Sequence, residues 1–474
     1  MEEKGRTKIV ATLGPASASK TVLRDMVIAG MDVARINFSH GTTDANLELL
    51  RLVREAARAE ETQVAIMQDL QGPKLRVGQL PEDGWELVDG LNATLLAGAE
   101  SMDGEAIPVL YKRLAGELKA GDRILLNDGL LELEVTAVKG KRIYTKVLLG
   151  GTLLSNQGLT IPSVSLSLEA LTEKDEADLS LGLKEGVDFV AMSFVRTVDD
   201  VLNLKQKIVD ILPDDVDAPA VVVKIEKHEA LKNFDAILEE ADAVMIARGD
   251  LGLATSLSSV PVAQKEIVAR CLVAGKPVVV ATHMLSSMTI RPRPTRAEVS
   301  DVANAVIDHT DAVMLSEETA LGRYPVRSVK TMAEIIARTE ESPLDNLMPH
   351  REAMGEPVPQ AAAAAAVELA RHVEAEAILI TTHSGYSARA IARYRPETRV
   401  FAATDDPVVQ RQLMLSWGIT PIYVEGYKEP EKMMGDALDI LHSRHSILPG
   451  SRIIVVSGLK RKETYDSAVR VVEV

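Results

Sequence analysis

Ala220-Val221-Val222-Val223-Lys224-Ile225-Glu226 and, after a stretch of helical spacing, Ala243-Val244-Met245-Ile246-Ala247-Arg248-Gly249-Asp250 are the two runs that decide how this chain is read. Each is an unbroken series of β-branched and aliphatic residues, which fits a strand buried on both faces of a parallel sheet. Each closes on charge. Lys224 and Glu226 are two apart, so in an extended strand their side chains leave the same face. At the end of the second run Gly249 lets backbone approach a ligand closely, and Asp250 adds a second carboxylate. Two carboxylates and one ammonium at the C-terminal ends of neighbouring parallel strands make a site for a divalent cation that also holds an anion. The plain alternative is a surface ion pair at a strand end.

The same beat of strand and helix extends in both directions. Upstream, Lys8 to Leu13, Val33 to Ser39 and Val64 to Asp69 read as buried strands, with helices predicted from Ser19 to Ala29 and from Thr43 to Ala59. From Pro73 to about Glu169 the beat stops. Short alternating segments are separated there by the turn signals Asn127-Asp128-Gly129, Lys139-Gly140-Lys141 and Gly150-Gly151, which predict an all-β insertion, a small barrel. Strands resume at Phe189 to Val195, continue through the two opening runs, and end with Pro277 to Thr282 and Ala312 to Ser316. Eight strands, each followed by a helix, close a (β/α)8 TIM barrel in preference to an open doubly wound sheet. The expected division is therefore a barrel over 1–72 and 170–343, an inserted lid over 73–169, and a C-terminal α/β domain over 344–474 that follows a polar, proline-punctuated linker.

A chain of 474 residues is too long for one core and suggests about three domains. The excess of 69 acidic over 53 basic residues, a net charge of −16, argues against a nucleic-acid or anionic-membrane surface, so any attraction for an anion must be local. Cys271 alone cannot build a disulfide framework and fits a reducing cytoplasm. The charged opening reads as no leader, and no apolar run reaches the ~18 residues of a membrane span.

In such a barrel the C-terminal strand ends form the site. They collect Arg35, Asn37, Ser39, Asp69, Lys224, Glu226, Asp250, Thr282 and Ser316. Glu226 and Asp250 suit Mg2+, which takes few carboxylates from a protein when a phosphate completes its shell. Arg35 and Lys224 would clamp phosphoryl oxygens, while Asn37, Ser39 and Asp69 form a hard oxygen cluster fit for a cation. Neither a GxxxxGK[ST] loop nor a GxGxxG turn follows a strand, so phosphate handling rests on metal and side chains.

On the runs Thr7 to Pro15, Ala34 to Gly41, Val223 to Glu226, Ala247 to Gly252 and Arg291 to Glu298, the chain resembles the pyruvate kinase family over essentially its whole length. The resemblance implies a catalytic barrel, a lid and a regulatory domain, assembled as a cytoplasmic homotetramer. It also implies transfer of a phosphoryl group from phosphoenolpyruvate to ADP, giving pyruvate and ATP in the last step of glycolysis, with Mg2+ as cofactor and Mn2+ able to substitute. By resemblance, Lys224 neutralises the moving phosphoryl group and the enolate oxygen. Glu226 and Asp250 hold the metal, and the amides of Gly249 and Asp250 receive the substrate carboxylate. Thr282 sits on the protonation face within a water relay, a hydroxyl being a poor acid near neutrality. Arg35 and Arg76 bind phosphates, with Pro15, Asn37 and His40 near the nucleotide. A capping or packing histidine is the bland alternative for His40.

Departures from the family pattern carry their own expectations. Asn37, Ser39, Asp69 and Leu70 correspond to the family's potassium site, but Lys74 stands where a carboxylate usually does; an ammonium there supplies the charge otherwise brought by the ion, so K+ is expected to be dispensable. Gln157 replaces a lid lysine, and Glu317 a small residue. Thr382, His383, Ser384, Gly385, Tyr386 and Ser387 resemble an effector phosphate loop, with Gly458 to Glu463 as the late glycine-rich loop. The substitutions at His383 and Tyr386 favour a sugar monophosphate or AMP over fructose 1,6-bisphosphate. The rival readings are a Mg2+-dependent barrel lyase or aldolase acting on pyruvate or oxaloacetate enolates, and a catalytically silent metabolite-binding relative.

Overall fold

Eight parallel strands close a barrel in the computed structural model, which describes residues 5–162, 164, 167–213, 216–346, 358–425, 430–445, 447–461 and 464–474. They are Lys8–Leu13, Val33–Asn37, Ala65–Asp69, Phe189–Met192, Ala220–Ile225, Ala243–Ala247, Val278–Ala281 and Ala312–Leu315, the last pairing with the first. Several end sooner than their apolar runs suggest. Phe194 (φ 58°) and Thr282 (φ 70°) adopt left-handed backbone that no strand ladder accommodates. Arg248, Gly249 and Asp250, read as a strand end, instead open the helix Arg248–Ala254. The rim of the barrel is thus made of turns, which aim Ser193, Thr282 and Asp250, while Arg35, Asp69 and Lys224 project from the strands themselves.

The opposite end is fixed by acids. Asp32, Asp188, Asp242 and Asp311 each immediately precede a strand and accept the backbone N–H of Ile9 (2.9 Å), Ile66 (2.7 Å), Val221 (2.8 Å) and Val278 (3.1 Å) on the neighbouring strand. These bonds satisfy donors at the barrel floor that burial would otherwise strand. The barrel is filled by Val10, Val33, Met67, Val222, Met245, Val279 and Met314. Met414 and Leu415 from the C-terminal part pack into the same core, so the floor is plugged by that domain.

The insertion forms a six-stranded sheet and a two-stranded ribbon, Trp85–Leu87 with Gly151–Leu153, around one apolar core. Its predicted turn Asn127-Asp128-Gly129 has three consecutive positive φ angles, 49°, 52° and 82°. A Cβ at Gly129 would stand 2.8 Å from Leu253, so this turn rests on the helix that carries Asp250.

In the C-terminal part the order is Ile419–Tyr423, Arg399–Thr404, Ala377–Thr381, Arg452–Arg461 and Thr464–Glu473. The fifth, antiparallel strand was not expected, and Gly458–Arg461, read as a loop, is strand; Lys462 and Glu463 lie outside the described residues. Much of the expected linker, 347–357, also lies outside them. The alanine-rich helix Val358–His372 buries Ala363, Ala366 and Ala370, three- and four-residue spacings that let it pack closely. Among the described residues, no helix is long and apolar enough to cross a membrane.

Candidate active site

The two opening strands are neighbours in the barrel, and at their ends Lys224 Nζ lies 2.9 Å from Glu226 Oε1. It also lies 3.3 Å from Asp69 Oδ1 and 2.7 Å from the Ser193 hydroxyl. Asp69 is shared. Its Oδ2 accepts from Arg35 at 2.7 Å, and Arg35 reaches on to the Thr12 hydroxyl at 2.8 Å. Four charged side chains from three strands therefore form one buried row: Arg35, Asp69, Lys224, Glu226. Burial opposes the charge on Lys224, but Asp69 and Glu226 outweigh it and hold the ammonium above its usual range. Burial likewise opposes Asp69, yet Lys224 and Arg35 keep its carboxyl below the ordinary carboxylate range. For Glu226 burial wins over Lys224, with Asp250 adding repulsion, and its carboxyl is pushed up. A second cation beside Glu226 and Asp250 would relieve exactly that repulsion.

Asp250 sits in the first turn of its helix, where the dipole favours negative charge, and its field reaches Glu226, Lys224 and Lys227. Among the described residues no group of three or more His, Cys, Asp or Glu could enclose a metal. An ion held here by Glu226 and Asp250 would complete its shell from water and substrate oxygens, which is how Mg2+ is ordinarily bound. The donor set is hard oxygen, and it fits.

Thr282 faces the same mouth. Its hydroxyl accepts from Gly249 N–H at 2.8 Å and donates to the Ala281 carbonyl at 2.6 Å. The Gly249 amide, expected to receive a carboxylate, is thus engaged by Thr282. Arg248 turns away from the mouth to Asp301 (2.7 Å) and the Thr282 carbonyl (2.7 Å), locking the turn in place.

A cationic group surrounds His40. Burial, then Arg76, Lys74 and Arg35, hold its imidazole below the usual histidine range, and only Glu317 pulls the other way. Arg76 donates to the Asn156 carbonyl of the insertion at 2.9 Å. Pro15 is exposed in the turn after the first strand. The expected monovalent-cation cluster is internally engaged: Asn37 Oδ1 accepts the Ser39 amide at 3.0 Å, the Leu70 carbonyl accepts from Ser193 at 2.7 Å, and Asp69 serves Arg35 and Lys224. Lys74 Nζ lies 3.8 Å from Asp128 on the insertion. Gln157 accepts the Leu154 amide at 3.0 Å and so shapes its own loop. An open cleft runs between insertion and barrel and is lined by Lys74, Thr160, Phe194, Lys227 and Asp250.

In the C-terminal part Thr382 is buried, while His383, Ser384 and Tyr386 are exposed around Gly385, whose φ of 74° opens the helix Tyr386–Ala392. His383 lies 3.4 Å from Asp405.

Thr12, Ser193 and the Phe194 amide, which donates to Glu226 at 2.8 Å, were not foreseen. Thr12 and Ser193 are polar residues at or just past strand ends, the same signal that found Arg35 and Asp69; applied evenly, it would have found them.

Family models described as pyruvate kinase barrel domain and pyruvate kinase alpha/beta domain match residues 4–329 and 360–472. Pyruvate kinase 2 of Synechocystis sp. is 42% identical over 458 residues, 96% of this chain and 76% of that one. The pyruvate kinase of Geobacillus stearothermophilus is 38% identical over 97% of this chain and 79% of its own. A crystal structure of a pyruvate kinase from Cryptosporidium parvum superposes with a TM-score of 0.90 at 35% identity, covering 99% of this chain and 96% of that one.

Proposed function

The chain belongs to the pyruvate kinase family, and from that premise we propose that Lys224 is the residue on which its conversion of phosphoenolpyruvate and ADP to pyruvate and ATP depends. What supports this is the seat of its ammonium between Asp69 and Glu226 at the barrel mouth. Phosphoryl transfer asks for alignment and charge stabilisation rather than covalent chemistry from the protein. Lys224 faces the leaving phosphoryl group and then the enolate oxygen, with its charge secured by the two flanking carboxylates. Arg35, braced by Asp69 and Thr12, clamps phosphoryl oxygens. Glu226 and Asp250 would hold Mg2+, or Mn2+ in its place, which would supply positive charge for the phosphate and enolate oxygens. Thr282 stands in the proton path to the enolate carbon and holds the Gly249 turn; the substrate carboxylate is received at Gly249 and Asp250, which requires the Gly249 amide to exchange Thr282 for substrate. Arg76, His40, Asn37 and Pro15 line the nucleotide side, and a neutral His40 avoids adding a proton donor whose charge varies near pH 7.

The finer reading has four parts. Turnover does not require K+, because Arg35, Lys224 and, on lid movement, Lys74 supply the positive charge around Asp69. The segment 73–169 acts as a lid on the barrel of 1–72 and 170–343, with 344–474 as a regulatory domain. A phosphorylated effector, a sugar monophosphate or AMP, binds Thr382 to Ser387. The enzyme works in the cytoplasm as a homotetramer. A coupled assay of ATP formation from phosphoenolpyruvate and ADP, with Mg2+ titrated and with Na+ or K+ as the only monovalent cation, tests the core of this. Absence of Mg2+-dependent ATP formation would sink it, and tenfold or greater activation by KCl would remove the K+-independent part.

A further inference from the structure

At the seam between barrel and C-terminal part there is a second concentration of positive charge, remote from the barrel mouth. A small cleft, open to solvent on one side, is lined by Gly275, Lys276, Asp311, Arg389, Arg395 and Ser416. Lys276 belongs to the turn leading into the seventh barrel strand, Asp311 precedes the eighth, and Arg389 and Arg395 lie on and after the helix Tyr386–Ala392. In a chain of net charge −16, four cations line this cleft, Arg393 being the fourth, against the single carboxylate of Asp311.

Their partners are unequal. Arg395 donates to both oxygens of Asp311, at 3.3 Å and 3.0 Å, beside the Val278 and Trp417 amides that the same carboxylate accepts, and stacks on Trp417 at 5.1 Å. Lys276 caps the helix Phe234–Glu240 through the carbonyls of Leu238 and Glu239, both at 2.6 Å. Arg389 is left with the Ser384 carbonyl at 3.1 Å, and among the described residues no carboxylate lies within ion-pair distance of it. Arg389 is half-buried, and a guanidinium so placed gains from an oxyanion that meets it with charge-assisted hydrogen bonds. Two more groups in the same wall lack partners: the Ser416 hydroxyl and Arg395 Nε, both buried, in residues only 1% and 6% exposed. All the unmet capacity that points to a ligand is hydrogen-bond donation or positive charge.

We propose that this cavity is a binding site for a phosphate-class oxyanion, bridging Arg389 and Ser416 of the C-terminal part to the turn at Gly275 and Lys276. A tetrahedral anion offers several acceptors in fixed directions, which suits a guanidinium and a hydroxyl approaching from different walls. It is distinct from the loop Thr382 to Ser387: Arg389 lies one turn further along the helix, and Ser416 comes from a separate segment. Occupancy would tie the helix behind that loop to the strand that carries Thr282 at its far end.

Isothermal titration of the full chain with inorganic phosphate, with ribose 5-phosphate run in parallel, tests the assignment. We expect saturable phosphate binding that weakens about tenfold in Arg389→Gln and severalfold in Ser416→Ala, while Ser384→Ala, confined to the exposed loop, leaves phosphate affinity within about twofold. Ribose 5-phosphate binding tighter than free phosphate and lost in Ser384→Ala but not in Ser416→Ala reports the loop and leaves the cavity to the free ion. No saturable phosphate binding, unchanged affinity in both Arg389→Gln and Ser416→Ala, or loss of phosphate binding in Ser384→Ala alone would overturn the proposal. Should Arg389→Gln fail to fold, Ser416→Ala decides by itself. None of these outcomes bears on ATP formation, which is assayed separately.

Discussion

Lys224 Nζ lies 2.9 Å from Glu226 Oε1, and the two side chains leave the same strand on the same face, as residues two apart must. The contact is a tension as well as a bond. On the proposed function Glu226 would hold the metal, yet together with Asp69 it also keeps Lys224 charged. A carboxylate shared between the ammonium and an ion would place two positive charges side by side where phosphoryl and enolate oxygens would pass.

Lys224→Met keeps the stem and removes the charge. We expect kcat to fall at least ~100-fold with little change in the KM for ADP, because the interaction lost is one made to developing charge. Steady-state rates at saturating Mg2+, with circular dichroism to verify folding, give the answer. A rate near that of the parent chain would take Lys224 out of the mechanism.

Thr282 does two things, and two substitutions separate them. Its hydroxyl accepts from the Gly249 amide and, on the proposed function, stands in the proton path. Thr282→Ser preserves both and should stay within about threefold of the parent, whereas Thr282→Ala should lower kcat about 10- to 100-fold. Solvent deuterium exchange into pyruvate, followed by NMR, reports proton transfer to carbon separately from ATP formation. If Thr282→Ala slowed both equally, its role would be to position the Gly249 turn alone.

Lys74 is the residue whose surroundings differ most from expectation, lying 3.8 Å from Asp128 on the insertion and not against Asp69. Lys74→Glu would bring a carboxylate back beside the Asn37, Ser39 and Asp69 cluster and create a need for an added cation. Activity of that variant in Na+ buffer should be at least about tenfold below its activity in KCl, with the parent insensitive to the exchange. Equal insensitivity in both would mean that Lys74 serves the insertion and not the cluster.

The barrel was legible because its strands are uniform apolar runs on a regular beat, a pattern that only a doubly covered parallel sheet produces. Arg35, Asp69, Lys224 and Glu226 were legible because each is a charged residue within or just after such a run. What resisted reading depends on contacts between distant segments. Ser193 lies between Lys224 and the Leu70 carbonyl across two strands, Met414 and Leu415 plug a barrel that begins some four hundred residues earlier, and neither fact leaves a local trace. The final hairpin was hidden by Gly458, which reads as a loop and sits in a strand.

Asp345 supplies a test that titration can read. Its Oδ1 is buried without a hydrogen-bond partner, 3.7 Å from His309 Nδ1. That contact is not an ion pair at neutral pH: burial, then Arg395, hold His309 down to about 4, while burial, then Glu340, push Asp345 up to about 7. The unfolded carboxyl ionises near 3.8, so between there and about 7 the folded chain binds the extra proton and stability falls as pH rises. Asp345→Asn removes this fall, and its advantage over the parent should grow from pH 5 to pH 8 toward about 2–4 kcal/mol. Melting curves across that range measure it; an advantage no larger at pH 8 than at pH 5 would refute the assignment.

Asp188 joins the floor of the barrel to the C-terminal part. Fully buried, it accepts the Ile66 amide (2.7 Å) and Arg54 (2.8 Å) from the barrel, and Arg411 (2.5 Å) from beyond it. Arg411→Met removes one guanidinium and leaves the carboxylate two donors, so a loss of about 1–2 kcal/mol follows, some 2–8 °C in melting temperature. Asp188→Asn strands two partly buried guanidiniums and should cost about 3–5 kcal/mol. A double-mutant cycle between the two positions isolates their coupling, because Asp188→Asn already weakens what Arg411→Met deletes. Since both residues lie at the end of the barrel opposite Lys224, kcat for ATP formation in Arg411→Met should match the parent at temperatures well below its melting point. A variant that melted normally but turned over slowly would show that the floor contact acts on the mouth, contrary to the division of labour between the two ends of the barrel.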